Sequence, residues 1–134
     1  LAHDAATPLP PGVGGFGAVL LDAPCSGLGT LRRHPELRYR RTEQDIARLA
    51  ALQATLLRSC AGSVPSGGLL AYAVCSLEPE EGREQIDRFL RERPEVALEP
   101  HELPWPLPIE GGCLRTLPGP EGLDGFFAAR LRRR

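Results

Sequence analysis

The chain contains no lysine, no Cys-x-x-Cys pair and no apolar run approaching a membrane span, and each absence narrows what it can do. A spanning helix needs about 20 apolar residues, so no membrane segment is offered, and nothing at the start resembles a secretory signal. Four cysteines, at 25, 60, 75 and 113, are accompanied by only three histidines. That argues against a metal site, and more strongly against a disulfide framework. Reduced thiols in a cytoplasmic protein are the simplest reading, and for Cys60 and Cys113 it suffices. Because lysine is missing, all 16 basic residues are arginine.

What is present fits one globular domain. The 134 residues, 42% of them hydrophobic, are enough to bury a core. No internal repeat or low-complexity segment interrupts them. A net charge of −1 argues against indiscriminate coating of nucleic acid. The arginines are nevertheless clustered, five between Arg32 and Arg41 and four more at Arg130 and Arg132 to Arg134. Such clusters are usually solvated surface. The first, with a tyrosine embedded in it, directly follows a candidate active-site loop, and that placement points to a phosphate-bearing substrate.

Two stretches organise the chain. Phe16 to Leu21 and Leu69 to Val74 are short apolar runs of the kind that form buried strands. Each breaks at a cysteine followed by serine: Leu20-Leu21-Asp22-Ala23-Pro24-Cys25-Ser26-Gly27 and Tyr72-Ala73-Val74-Cys75-Ser76. Reactive side chains just past the ends of buried parallel strands are where α/β proteins place their chemistry. Upstream, Gly12-Val13-Gly14-Gly15-Phe16-Gly17 fits a nucleotide-loop pattern, but a strand follows it and no helix does, so it is rejected.

Between the two stretches, Thr42 and Asp45 have capping-box spacing, and Ile46, Leu49, Ala50, Gln53, Leu56, Leu57 and Cys60 recur at helical period up to Gly62. A second helix is expected from Pro79 to about Arg93. A brief strand at Val96 to Leu98 and an irregular, proline-rich excursion over Pro100 to Pro108 precede two final strands, Cys113 to Leu117 and Phe126 to Leu131. The alternation implies an α/β fold with a mostly parallel sheet and an antiparallel edge strand.

An unassisted thiol, with a pKa of ~8.5, is only a few per cent thiolate at neutral pH, yet the thiolate is the nucleophile. Cys75 is placed just before the second expected helix, whose N-terminus would favour the thiolate. Asp22 adds a functional signal, because a carboxylate ending an apolar strand is costly without a partner or ligand.

Asp22-Ala23-Pro24-Cys25-Ser26-Gly27-x-Gly29 and Tyr72-x-x-Cys75-Ser76 resemble the two cysteine motifs of the RNA cytosine-C5 methyltransferases. Leu31-Arg32-Arg33-His34-Pro35-Glu36, and Leu117-Pro118 with Asp124-Gly125-Phe126-Phe127, are similar to the same family. The resemblance is strongest to its bacterial Sun/Fmu (RsmB) branch, which acts on small-subunit rRNA, and it runs from Asp4 to Leu131. It implies the C-terminal half of a Rossmann-like class I fold that uses S-adenosyl-L-methionine. It also implies that Cys75 adds to cytosine C6 and that Cys25 assists release. Asp22 would lie between cofactor and target base, with Asp4 and Pro24 as further cofactor contacts. Arg32, Arg33, His34, Arg38, Arg40 and Arg41 would clamp the RNA backbone around a base splayed out of the RNA.

Two departures accompany the match. Val74 stands where most family members have threonine. The family's glycine-rich cofactor loop, ribose-binding acid and N-terminal RNA-binding region would all precede Asp4, so residues 1–134 correspond to a partial methyltransferase catalytic domain. The expectation is weak cofactor binding by these 134 residues alone. Two other readings stand beside this one. One is a non-catalytic RNA-binding or assembly module; the other is a thiol hydrolase using Cys75 with His34 or His101. An unpaired edge on the strand ending at Asp22 would favour a homodimer, or local disorder near residues 1 to 17.

Overall fold

A computed structural model of the chain describes residues 2–7, 9–10, 12–100, 108–120 and 122–134. The stretch around His101 and Trp105, where an irregular excursion was expected, lies outside the described residues. The first expected strand is β1 (Ala18–Asp22), followed by a 3-10 turn at Leu28–Thr30 and a single helical turn, α1 (Leu37–Arg40). The long helix α2 (Glu43–Gly62) starts from a complete capping box. The Thr42 hydroxyl accepts from the Asp45 backbone N–H at 3.3 Å, and the Asp45 carboxylate accepts from that of Thr42 at 3.1 Å. Then come β2 (Leu69–Val74), α3 (Arg83–Glu92), β3 (Val96–Glu99), β4 (Ile109–Glu110), β5 (Cys113–Thr116) and β6 (Phe126–Arg133).

The described strands form one sheet in the order β1-β2-β6-β5-β4, with β3 on β6 beside β5. β1 and β2 pair in parallel, Asp22 opposite Ala73, and β6 runs antiparallel to β2, β3 and β5. Strands β1, β2, β3 and β5 therefore share one direction, while β6 and the edge strand β4 run against it. This is the α/β architecture expected, with one addition. The last strand of the chain is inserted inside the sheet, where its length lets it pair with β2 along one side and with β5 and β3 along the other.

Alternation along the strands separates two faces. Leu70, Tyr72 and Val74 of β2 and Phe127, Ala129 and Leu131 of β6 are buried against α2 and α3, with Leu56, Leu57, Ile86 and Phe89 opposite them. Each such large side chain contributes about 1.5–3 kcal/mol when fully removed from water. On the other face Leu69, Ala71 and Ala73 are half-buried, and Leu20 and Phe126 are exposed.

The second helix differs from expectation at its start. It begins at Arg83 rather than Pro79, because tight turns over residues 79–82, in which the Gly82 and Glu84 N–H groups bond the carbonyls of Glu78 and Pro79, carry Glu81 into the interior. Among the described residues no helix is long and apolar enough to cross a membrane, and no group of three or more potential metal ligands gathers.

Candidate active site at the ends of β1 and β2

Parallel pairing of β1 and β2 brings their C-terminal ends side by side, and the chain past each end turns so that the cysteines meet. Cys25 Sγ and Cys75 Sγ lie 3.3 Å apart, both half-buried. The serine that follows each cysteine points the other way and is fully buried. Ser26 Oγ accepts from the Leu28 N–H at 3.4 Å, and Ser76 Oγ from that of Glu78 at 3.2 Å. Two Cys-Ser turns of matching construction thus bring the half-buried thiols together and, separately, the fully buried hydroxyls.

The hydroxyls converge on a residue that sequence reasoning passed over. Glu81 is completely buried. Its Oε2 accepts from Ser26 Oγ at 2.5 Å and from Ser76 Oγ at 2.6 Å. Its Oε1 accepts from the Ser26 N–H at 2.8 Å and from Gln53 Nε2 at 3.0 Å. Gln53 also donates to the Pro24 carbonyl, and the Tyr72 hydroxyl lies 2.6 Å from the Glu81 carbonyl. Buried polar groups need such partners, and here one carboxylate supplies them to both turns. A signal for it exists in the sequence: a serine after each cysteine, and a polar residue, Gln53, on an otherwise apolar helix face.

Glycine closes the site where backbones touch. Gly27 adopts a left-handed φ of 76° just before the 3-10 turn. A Cβ on Gly29 would meet the Gly125 carbonyl oxygen at 2.0 Å and that of Cys75 at 3.0 Å. The Gly29 N–H instead bonds the Cys75 carbonyl at 3.1 Å, and its own carbonyl accepts from the Gly125 N–H at 2.8 Å.

The thiols are poised unequally. Cys75 is held down to about 7, first because the Cys25 S–H donates to it and then by a backbone hydrogen bond, against burial and the charges of Asp22 and Glu81. The same sulfur contact, with burial and the charge of Cys75, pushes Cys25 far up. The proton of the pair therefore stays on Cys25 and the thiolate forms on Cys75. The expected helix N-terminus plays no part in this, since α3 begins eight residues further on at Arg83. Burial raises Cys60 and Cys113 instead, as suits packing residues.

The remaining sequence-selected residues divide. Asp22 and Pro24 are exposed beside the thiol pair. Asp4 is exposed in a turn, its carboxylate accepting from the Ala6 N–H at 2.9 Å. Arg32 and Arg33 both reach Asp124, and Arg32 also donates to the Gly122 carbonyl, so they fasten the loop before β6 to the first cysteine loop. Arg41 donates to the Ser26 carbonyl at 2.9 Å. His34 pairs with Glu36. Arg38 and Arg40 are exposed on either side of Tyr39, which is 87% exposed.

A family model described as 16S rRNA methyltransferase RsmB/F matches residues 3–132. The chain belongs to that family. It is 50% identical over 115 residues to the ribosomal RNA small subunit methyltransferase B of Thermus thermophilus, covering 86% of this chain and 29% of that one. The protein of the same name from Klebsiella pneumoniae is 44% identical over 119 residues, covering 89% and 26%. Among solved structures, PH0851 superposes with a TM-score of 0.81 at 40% identity, over 87% of this chain and 26% of that one. NSun6 from Pyrococcus horikoshii, solved with SFG, gives 0.78 at 28% identity, over 99% and 34%. The chain spans just over a quarter of the length of these curated RsmB relatives.

Proposed function

We propose that this chain is the nucleophile-bearing part of an S-adenosyl-L-methionine-dependent enzyme that methylates cytosine C5 in small-subunit rRNA. The observation that carries the reading is the 3.3 Å thiol pair at the adjoining ends of two parallel strands. Cytosine C5 is a poor nucleophile. Addition of the Cys75 thiolate to C6 makes C5 enamine-like and able to take up a methyl group. The bound cofactor supplies that methyl as an electrophilic sulfonium substituent. A base then takes the C5 proton, and the electron pair left behind re-forms the C5–C6 double bond as the C6–sulfur bond breaks and releases the Cys75 thiolate. Cys25, protonated and already donating to Cys75, stabilises that leaving thiolate by the bond that stabilises it at rest.

Asp22, Pro24 and Asp4 are assigned to the cofactor: the exposed carboxylates of Asp22 and Asp4 can accept from an ammonium group or ribose hydroxyls, and Pro24 offers an apolar surface between Asp22 and Cys25. Arg32, Arg33 and Arg41, which also fasten the site, are assigned to RNA contact with His34, Arg38 and Arg40, the last two flanking a tyrosine exposed to stack on an unpaired base. That exposed trio also supports a second reading, an RNA-binding module without catalysis. Salt-dependent RNA binding that survives loss of both cysteines, with no adduct under any condition, would favour it.

Adduct trapping tests the proposal. In the enzyme containing this segment, Cys25→Ala accumulates a covalent protein–RNA species resolved on a denaturing gel, and Cys75→Ala forms none. The reverse pattern overturns the assignment of roles.

A further inference from the structure

We propose that Glu81 is a positioning residue: by accepting from both Ser26 and Ser76 it fixes the two Cys-Ser turns against each other and sets the contact between the Cys25 and Cys75 thiols. The proposal deepens the reading of Cys75 as nucleophile and rests on the same site. Its test reads only the thiols, so it can fail while the methyl-transfer reading stands, and the converse holds too.

Three observations carry it. The carboxylate takes four donors, one from a side chain of α2, two from the first cysteine turn and one from the second. That is the full complement of an ionised carboxylate, so neither oxygen is left to serve anything else. Next, each serine hydroxyl also accepts from the backbone N–H two residues on, so a donor to Glu81 is at once a clasp on its own turn. Finally, Ser26 Oγ and Ser76 Oγ are themselves 3.1 Å apart, directly behind sulfurs 3.3 Å apart. Spacing on the buried side and spacing on the reactive side are set together. Glu81 never approaches a reacting atom, so it acts through the thiols.

Glu81 influences Cys75 in two ways of opposite sign, which makes the proposal decidable. Its charge disfavours the thiolate, while the geometry it imposes favours it through Cys25. Alkylation by iodoacetamide, resolved by site with mass spectrometry and followed against pH, measures the Cys75 midpoint in the 134-residue chain. The variants are Glu81→Gln, Ser26→Ala and Ser76→Ala, each alone and combined with Cys25→Ala. The proposal expects the midpoint to rise when Glu81 or either serine is changed. Labelling of Cys75 at pH 7 then slows by up to about 15-fold as the thiol approaches its ordinary value of ~8.5. It expects no further rise from these changes once Cys25 is already alanine.

A falling midpoint in Glu81→Gln marks a mere neighbouring charge and overturns the proposal. So does an equal change at Cys60, Cys75 and Cys113, which marks general loosening. If circular dichroism shows that Glu81→Gln does not fold, the serine variants decide. A rise in either one that vanishes without Cys25 supports the latch, and no rise in both rejects it.

Discussion

The two faces of the sheet are made by alternate residues of the same strands, yet they are finished in opposite ways. Toward the helices, Leu70, Tyr72 and Val74 end in a dry network where Ser26, Ser76, Gln53, Tyr72 and Glu81 satisfy one another. Away from the helices, Leu20, Ala71 and Ala73 lead to Asp22 and Cys75, which keep access to solvent, with half-buried Cys25 against Cys75. Reactivity and rigidity are thus separated by a single residue in each turn: cysteine on one side, serine on the other. A thiolate needs an approach for its substrate, whereas its placement needs partners that water cannot exchange. At β2 the two-residue period of β structure carries Cys75 and Ser76 to opposite sides, and beyond the end of β1 at Asp22 the Pro24-Cys25 turn separates Cys25 from Ser26 instead.

The comparison is broken most severely where the backbones around the site touch. Gly29→Ala puts a methyl group 2.0 Å from the Gly125 carbonyl oxygen, a contact no side-chain rotation relieves. Either the 3-10 turn moves away from Cys75 or the loop before β6 moves away from both. We expect a loss of about 3 kcal/mol or more, at the upper end of overpacking costs, measured by urea denaturation. A loss below about 1 kcal/mol would mean that these backbones yield more readily than their packing indicates.

Much of this architecture was legible beforehand, and the reasons differ by element. β1, β2, α2 and the last two strands carry strong local signals: apolar runs ended by Asp22 and Cys75, and a capping box at Thr42 followed by a helical stripe. The thiol pair was legible because a cysteine lies at or just past the end of each of two runs that could pair in parallel. What escaped was the chemistry of relations between distant residues. Glu81 sits in an acidic stretch, Glu78-Pro79-Glu80-Glu81, where nothing local distinguishes the carboxylate that turns inward from those facing water. Arg32 and Arg33 read as a basic patch because their partner, Asp124, is about ninety positions away in sequence. The start of α3 was misplaced for a related reason. Proline suits a first helical turn, but burying Glu81 required a tighter path, and tertiary bonding outweighed local preference.

On the open side the sharpest expectation concerns pH. The thiolate of Cys75 is the species that reacts, and its midpoint is held at about 7. Its alkylation rate therefore rises as pH increases through 7 and levels off about one unit above. Between pH 6 and pH 8 the thiolate fraction grows about tenfold. Cys25, whose proton is held more tightly, stays unreactive over that range. Site-resolved labelling distinguishes the two sulfurs, and a Cys25 that labels first would reverse the order of the pair.

The smallest effect on stability, and the plainest contrast with Gly29, is expected at Leu20. Its side chain is 72% exposed on the face that α2 and α3 leave uncovered, and β1 ends the sheet order with no strand beyond it among the described residues. A bare apolar residue beside an unpaired edge invites a second copy of the chain. Leu20→Glu removes little buried contact, so the unfolding free energy from urea denaturation should change by no more than about 0.5 kcal/mol. The same change places a carboxylate where two copies would meet. Sedimentation over a concentration series is expected to show association for the parent chain and a monomer for the variant. Association that persists in Leu20→Glu would place any contact between copies elsewhere. A large loss of stability would show that Leu20 is buried against something after all, and the contrast between the two faces would no longer hold.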